Sequence, residues 1–124
     1  MDKFEVVARE PETMNQEAVT MKSFLVYVTT ADKTEARTIG KHLVQAKLAA
    51  CVNILDHMNS MYVWKGEFQD DQETVMIAKT TEERVEALIA AVKERHSYEC
   101  PCIVSLPISD GNPDFLAWIA EQVR

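Results

Sequence analysis

Met58-Asn-Ser-Met-Tyr-Val-Trp-Lys-Gly-Glu-Phe-Gln69 is the stretch that decides the fold. Tyr62 and Trp64 alternate with Met61 and Val63, so the run before the turn is extended and has two distinct faces. Lys65-Gly66 is a tight turn signal. Upstream, Ala49-Ala-Cys-Val-Asn-Ile-Leu55 reads as a strand that this run continues. Downstream, Glu67 to Gln69 returns, Asp70-Asp71 is expected to bulge or loop, and Glu73-Thr-Val-Met-Ile-Ala-Lys-Thr80 is a further strand. The whole predicts a long antiparallel hairpin with an acidic tip.

Outward from the hairpin, Ser23-Phe-Leu-Val-Tyr-Val-Thr-Thr30 is almost continuously apolar and β-prone, as a central strand is. Asp32 caps a helix with Glu35 as its capping-box partner, and Ala36, Ile39, Leu43 and Ala46 recur at helical spacing. Gly40 costs that helix about 1 kcal/mol relative to Ala, which close packing on a sheet would explain. Thr80 and Glu83 form a second capping box, opening a helix through Val85, Leu88, Ile89 and Val92 that ends near Arg95-His96. Cys102 to Leu106 is the fourth strand, stopped by Pro107. Asn112 and Pro113 then start a last helix carrying Phe115, Leu116, Ile119 and Val123.

This order predicts an α+β, ferredoxin-like fold: βαββαβ plus a C-terminal helix, built on a four-stranded antiparallel sheet. Helices would cover one face. Val26, Val28, Val52, Ile54, Val75 and Ile77 cannot all point at them, because strand side chains alternate. The second face needs a partner surface, so the sequence predicts an oligomer, with the hairpin as an arm for strand exchange. Residues 23–124 make one domain. Residues 1–22, mixed in charge and broken by Pro11, are an extension, read as a short helix near Met14–Val19 or a frayed arm.

The 124 residues are 47% hydrophobic and 27% charged, which suits one globular domain and excludes disordered, collagenous and coiled-coil classes. A net charge of −7 with no basic stripe excludes a nucleic-acid partner. No run approaches the ~20 apolar residues of a membrane helix, and Met1–Lys22 lacks a signal-peptide stretch. Three cysteines, an odd count, fit reduced thiols rather than a disulfide framework. The expectation is a soluble cytoplasmic protein with no membrane partner.

Chemistry concentrates in His96-Ser-Tyr-Glu-Cys-Pro-Cys102. Cys100 and Cys102 flank Pro101 and would point the same way in an extended backbone, so with His96 nearby they suit a soft or borderline cation such as copper or zinc. Packing as small apolar residues is the competing account of both thiols, and a helix C-terminal cation is that of His96. Tyr62 and Trp64 read as hairpin packing or a binding-site wall. Glu67, Asp70, Asp71 and Glu73 read as a solvated acidic loop, without the spacing of a calcium loop. Cys100, His96 and Glu99 have the residue types of nucleophilic catalysis, but closeness in sequence does not establish its geometry. No Gly-rich phosphate loop, GxSxG or HExxH occurs.

Five blocks in order resemble the CutA divalent-cation-tolerance family: Lys47-Leu-Ala-Ala-Cys-Val-Asn53, Tyr62-Val-Trp-Lys-Gly66, Glu73-Thr-Val-Met-Ile-Ala-Lys-Thr80, His96-Ser-Tyr-Glu-Cys-Pro101 and Phe115-Leu-Ala-Trp-Ile119. The resemblance spans about Ser23 to Arg124. It implies a tight homotrimer of ferredoxin-like subunits, PII-like in architecture. It also implies tolerance to divalent metals, copper(II) binding in some members, and no established enzymatic activity. His96 matches the family's proposed copper contact, but Ser97 stands where proline often follows. Thr29-Thr30 replaces a cysteine found in some members, and Arg95 a second histidine. The expected metal residues are therefore His96, Cys100 and Cys102, holding Cu2+ weakly. Trp64, Lys79, Tyr98 and Glu99 are expected to line an intersubunit cleft. The alternative is a PII-like regulatory module that binds a small anionic metabolite through Lys79, Arg95 and His96 and signals to a protein partner.

Overall fold

Strand β1 (Ser23–Thr30) runs through the sheet interior, between β3 (Glu67–Thr81) and β4 (Ile103–Pro107), and β2 (Cys51–Trp64) lies outside β3. All three pairings are antiparallel. The computed structural model describes residues 21–124, so the reading of 1–22 falls, but for Met21 and Lys22, outside the described residues. Helix α1 (Lys33–Gln45) connects β1 to β2, α2 (Glu82–Arg95) connects β3 to β4, and α3 (Pro113–Gln122) follows β4. This is the split ferredoxin-like order that the sequence predicts.

Alternation along β1 separates two faces. Val26 lies opposite Ala78 and Val28 opposite Met76. All four are buried against Ile39 and Leu43 of α1 and Leu88 and Val92 of α2. Burying each of the large side chains contributes about 1.5–3 kcal/mol relative to exposure. Gly40 belongs to this contact: a Cβ there would come within 3.1 Å of Val52 Cγ1, so its missing side chain lets α1 approach the sheet. Ala46 is the exception in the predicted stripe. It is the C-cap of α1 and exposed, because the helix ends one residue before it.

On the other face Tyr27 lies between Ile77 and Val104, and Leu25 between Lys79 and Leu106. Leu55, Val104 and Leu106 are 59%, 50% and 50% exposed. No described helix shields this central part. Helix α3 packs instead at Ala50, through Ile119 and Val123.

The hairpin closes on Lys65 (φ 50) and Gly66 (φ 82), the paired positive φ values of a type I′ turn. Its irregularity falls elsewhere than expected. Asp70 and Asp71 stay in the ladder of a continuous β3, opposite Met61 and Ser60. The bulge is on β2 between Leu55 and Met58, where His57 takes φ 61. Asp56 Oδ1 stabilises it by accepting from His57 N–H and the Thr74 hydroxyl, both at 2.8 Å. One extra residue reverses the side-chain alternation beyond it. Tyr62 and Trp64 thereby join the face of Glu73, where Met61 and Val63 would otherwise stand.

The second capping box is corrected too. Thr81, not Thr80, is the N-cap of α2, and its hydroxyl makes no cap bond. Thr80 Oγ1 donates to the Leu48 carbonyl at 2.7 Å instead. Among the described residues, no helix is long and apolar enough to cross a membrane.

Candidate functional site

Beyond α2 the chain leaves regular structure from His96 to Cys102 and lies across the start of α1. Glu35 holds it there. As predicted, Asp32 Oδ1 accepts from Glu35 N–H at 2.8 Å. In return Glu35 Oε1 accepts from Ala31 N–H at 2.9 Å, and Oε2 accepts from Ser97 N–H at 2.8 Å. Burial would raise the Glu35 pKa, but these bonds outweigh it and hold the carboxyl below its usual value. A helix cap therefore also fixes the segment that carries the chemistry.

Between this segment and the bulge-flipped hairpin lies a cleft of about 630 Å³. Tyr62, Trp64 and Asp71 form the hairpin wall, facing Tyr98, Glu99, Cys100 and Cys102. Glu73, only 8% exposed, lies at its base. The Tyr98 hydroxyl donates to Glu73 Oε2 at 2.7 Å, and the Tyr62 hydroxyl to Asp71 Oδ2 at 3.1 Å. Burial and then the Glu73 bond push the Tyr98 pKa well above the ordinary phenol value. The bond to Asp71 raises that of Tyr62. Both phenols stay protonated as donors. Lys65 at the hairpin turn approaches Glu99 Oε2 at 3.5 Å, an exposed pair of about 0–1 kcal/mol.

His96 stands behind this wall. Its Nδ1 accepts from Tyr98 N–H at 3.1 Å, which makes Nε2 the protonated nitrogen, donating to the Thr29 carbonyl at 2.7 Å. Both nitrogens are thus engaged inside the chain. Cys100 and Cys102 are exposed and line the cleft together. Among the described residues, no three His, Cys, Asp or Glu side chains are grouped so as to hold a metal ion. The predicted trio divides into two accessible thiols and one occupied imidazole.

Of the predicted cleft residues, Trp64, Tyr98 and Glu99 line it and Lys79 does not. Lys79 is on the open sheet face, and its Nζ donates to Asn53 Oδ1. Arg95 Nη1 turns back to the Ala91 carbonyl at 3.1 Å. Within one subunit Lys79, Arg95 and His96 are each bonded to other groups of the chain, and none of the three lines this cleft, which carries Asp71, Glu73 and Glu99. The sequence reading places Asp71 in a bulge or loop, starts a strand at Glu73 while grouping its carboxylate with a solvated acidic loop, and takes Glu35 as a cap alone. The period-2 pattern through Val75 and Ile77, extended back to Glu73, is the signal that places Glu73 on a sheet face.

The fold and cleft together define a ferredoxin-like α+β subunit with a long hairpin and a thiol- and carboxylate-lined cleft beside it. The chain belongs to the CutA1 divalent ion tolerance protein family, which matches residues 24–122. It is 44% identical over 98 residues to the divalent-cation tolerance protein CutA of Thermus thermophilus, covering 79% of this chain and 95% of that one. It is 42% identical to a Xenopus laevis CutA homolog, over 78% of this chain and 64% of the relative. The crystal structure of CutA1 from Oryza sativa superposes with a TM-score of 0.82 at 39% identity, covering 86% of this chain and 97% of that one. The chain spans 61–64% of the length of the Xenopus, rice and Arabidopsis relatives.

Proposed function

We propose that this chain is a CutA-like divalent-cation tolerance protein, working as a cytoplasmic, non-enzymatic homotrimer that takes up copper(II) or a related divalent ion weakly at its clefts. The observation that carries the reading is the placement of Cys100 and Cys102 on one cleft, whose walls also bear Asp71 and Glu99 without grouping them with the thiols as a ligand set. Thiols select soft and borderline ions, and the carboxylates add charge. His96 fits a conditional third place. Metal-bound imidazoles commonly donate their other N–H to a carbonyl, as Nε2 does to Thr29. Nδ1 becomes a donor once it releases Tyr98 N–H, and that exchange accounts for weak uptake.

The exposed apolar sheet face supports the trimer. The unpaired state of all three cysteines supports a reducing compartment. The engagement of both His96 nitrogens supports a non-enzymatic role, since this imidazole is not free to act as a base toward Cys100.

Native mass spectrometry of metal-free protein, titrated with copper(II), tests this. A trimer gaining a fixed number of ions per subunit, reduced in the Cys100→Ser/Cys102→Ser variant, is expected. A trimer with no stoichiometric uptake overturns the metal reading, and a monomer overturns the assembly.

A further inference from the structure

Cys100 and Cys102 have a second property that metal uptake does not use. Both residues are exposed, both border the same open cleft, and only Pro101 separates them. Two residues of chain span at most about 7 Å, and disulfides join Cα atoms about 4.4–6.8 Å apart. The pair is therefore within or just beyond bonding range, and a small bend closes it. Local structure permits that bend. Residues 97–102 belong to no helix or strand, and Pro101 has no N–H to lose. The bond from Thr29 N–H to the Cys102 carbonyl is long, at 3.3 Å. The third thiol, Cys51, is on β2 opposite Lys79, half-buried, and serves as an internal control.

We propose that Cys100 and Cys102 form a reversible dithiol–disulfide couple whose closure removes the cleft's two soft donors. The closure itself stands on the pair's placement; its consequence for metal rests on the proposed function above. The oxidant is a small-molecule disulfide of the glutathione type. One cysteine thiolate attacks it, forming a mixed disulfide and expelling the first small thiol. The second thiolate then attacks the protein-bound sulfur and expels the other. The protein loses two S–H bonds and gains one S–S bond, and the two hydrogens leave on two reduced thiol molecules. Strain in so small a ring makes the bond easily reduced, so it behaves as a switch rather than a staple.

The test uses the full chain in its native assembly, equilibrated in oxidised and reduced glutathione, quenched in acid and digested with trypsin. Residues 96–124 hold both cysteines in one tryptic peptide, and residues 48–65 hold Cys51. The expected product is the 96–124 peptide lighter by two hydrogen atoms, with Cys51 unmodified. Cys100→Ser and Cys102→Ser should instead retain glutathione on the remaining thiol. Stable glutathione on both cysteines of the unaltered protein, or oxidation of Cys51 first, overturns the couple. Zinc, which is redox-inert, probes the consequence. Stoichiometric uptake by the reduced form and its loss in the closed form are expected, and equal uptake by both overturns the gating. Closure without zinc uptake in either form supports the couple while defeating the metal reading.

Discussion

The two faces of the sheet are built from the same strands and nearly the same chemistry, yet one is a finished core and the other is not. Val26, Val28, Met76 and Ala78 meet two helices and are fully buried. Leu25, Tyr27, Ile77, Val104 and Leu106 alternate with those residues or extend their rows and face outward. Apolar content alone therefore does not predict burial; the connectivity that supplies covering helices does. A chain with βαββαβ order has crossovers for one side only, and what remains is left for a partner or for water.

The sharpest contrast between the faces should appear on truncating the covered one. Leu88 is fully buried between α2 and the sheet. Leu88→Ala removes its contacts and leaves a cavity, so urea unfolding should show a loss of about 2–5 kcal/mol. A loss no larger than that from Leu106→Ala would mean the two faces are equally closed in solution.

The cleft borders the open face, and Tyr98 reaches Glu73 there. Tyr98→Phe leaves the Glu73 carboxylate without the hydroxyl it accepts, which should cost about 1–3 kcal/mol. A pH series separates this from lost packing. The native pKa of Tyr98 is raised above its unfolded value of about 10, so the folded state holds the proton longer. That stability is complete below pH 10 and declines as pH rises above it. The Tm of the variant should fall less steeply there. Parallel curves would show that neither burial nor the bond to Glu73 holds the phenol proton in the folded state.

Much of this was legible in the residues. The β1 run, the Asp32 cap, the Lys65-Gly66 turn and the uncovered face all follow from local pattern and alternation. The bulge was not, because it carries no glycine or proline: His57 adopts positive φ through a bond to its own neighbour Asp56 and a contact to Thr74, which is remote in sequence. The reading favoured Asp70-Asp71 because paired acids resemble a loop, but Asn59 and Tyr62 across the ladder satisfy both. At the site, one contiguous segment exposed Tyr98, Glu99, Cys100 and Cys102 to inspection, and Trp64 came from the hairpin. Lys79 falls near the end of its strand, as the pattern predicts, but on the open sheet face and not in the cleft of its own subunit. The Tyr98–Glu73 and Glu35–Ser97 bonds join residues far apart in the chain, where periodicity is silent.

Glu35 gives a smaller effect on the covered side. Glu35→Gln keeps the shape of the cap but weakens its hold on Ala31 and Ser97, and a loss of about 1 kcal/mol is expected. The native pKa is depressed below the unfolded 4.5, so the stability from Glu35 is present above that value and is lost as pH falls through the native one. The acid limb of a Tm–pH curve should therefore be shallower in the variant, and an unchanged limb would remove Glu35 from the cap.

The smallest effect on the subunit itself belongs to the open face, and it tests the comparison most directly. Leu106 is half-exposed, so Leu106→Ser should change the stability of an isolated subunit by no more than about 0.5 kcal/mol. If copies of the chain cover this face, association is linked to folding, and the unfolding midpoint must rise with protein concentration. The serine variant should flatten that dependence and shift sedimentation toward smaller species, because a hydroxyl replaces an apolar contact at the interface. An unaltered protein whose midpoint is independent of concentration, and which sediments as a monomer, would mean the face is stable in water as it stands. The asymmetry between the two sides of the sheet would then be a tolerated exposure rather than an unfinished core.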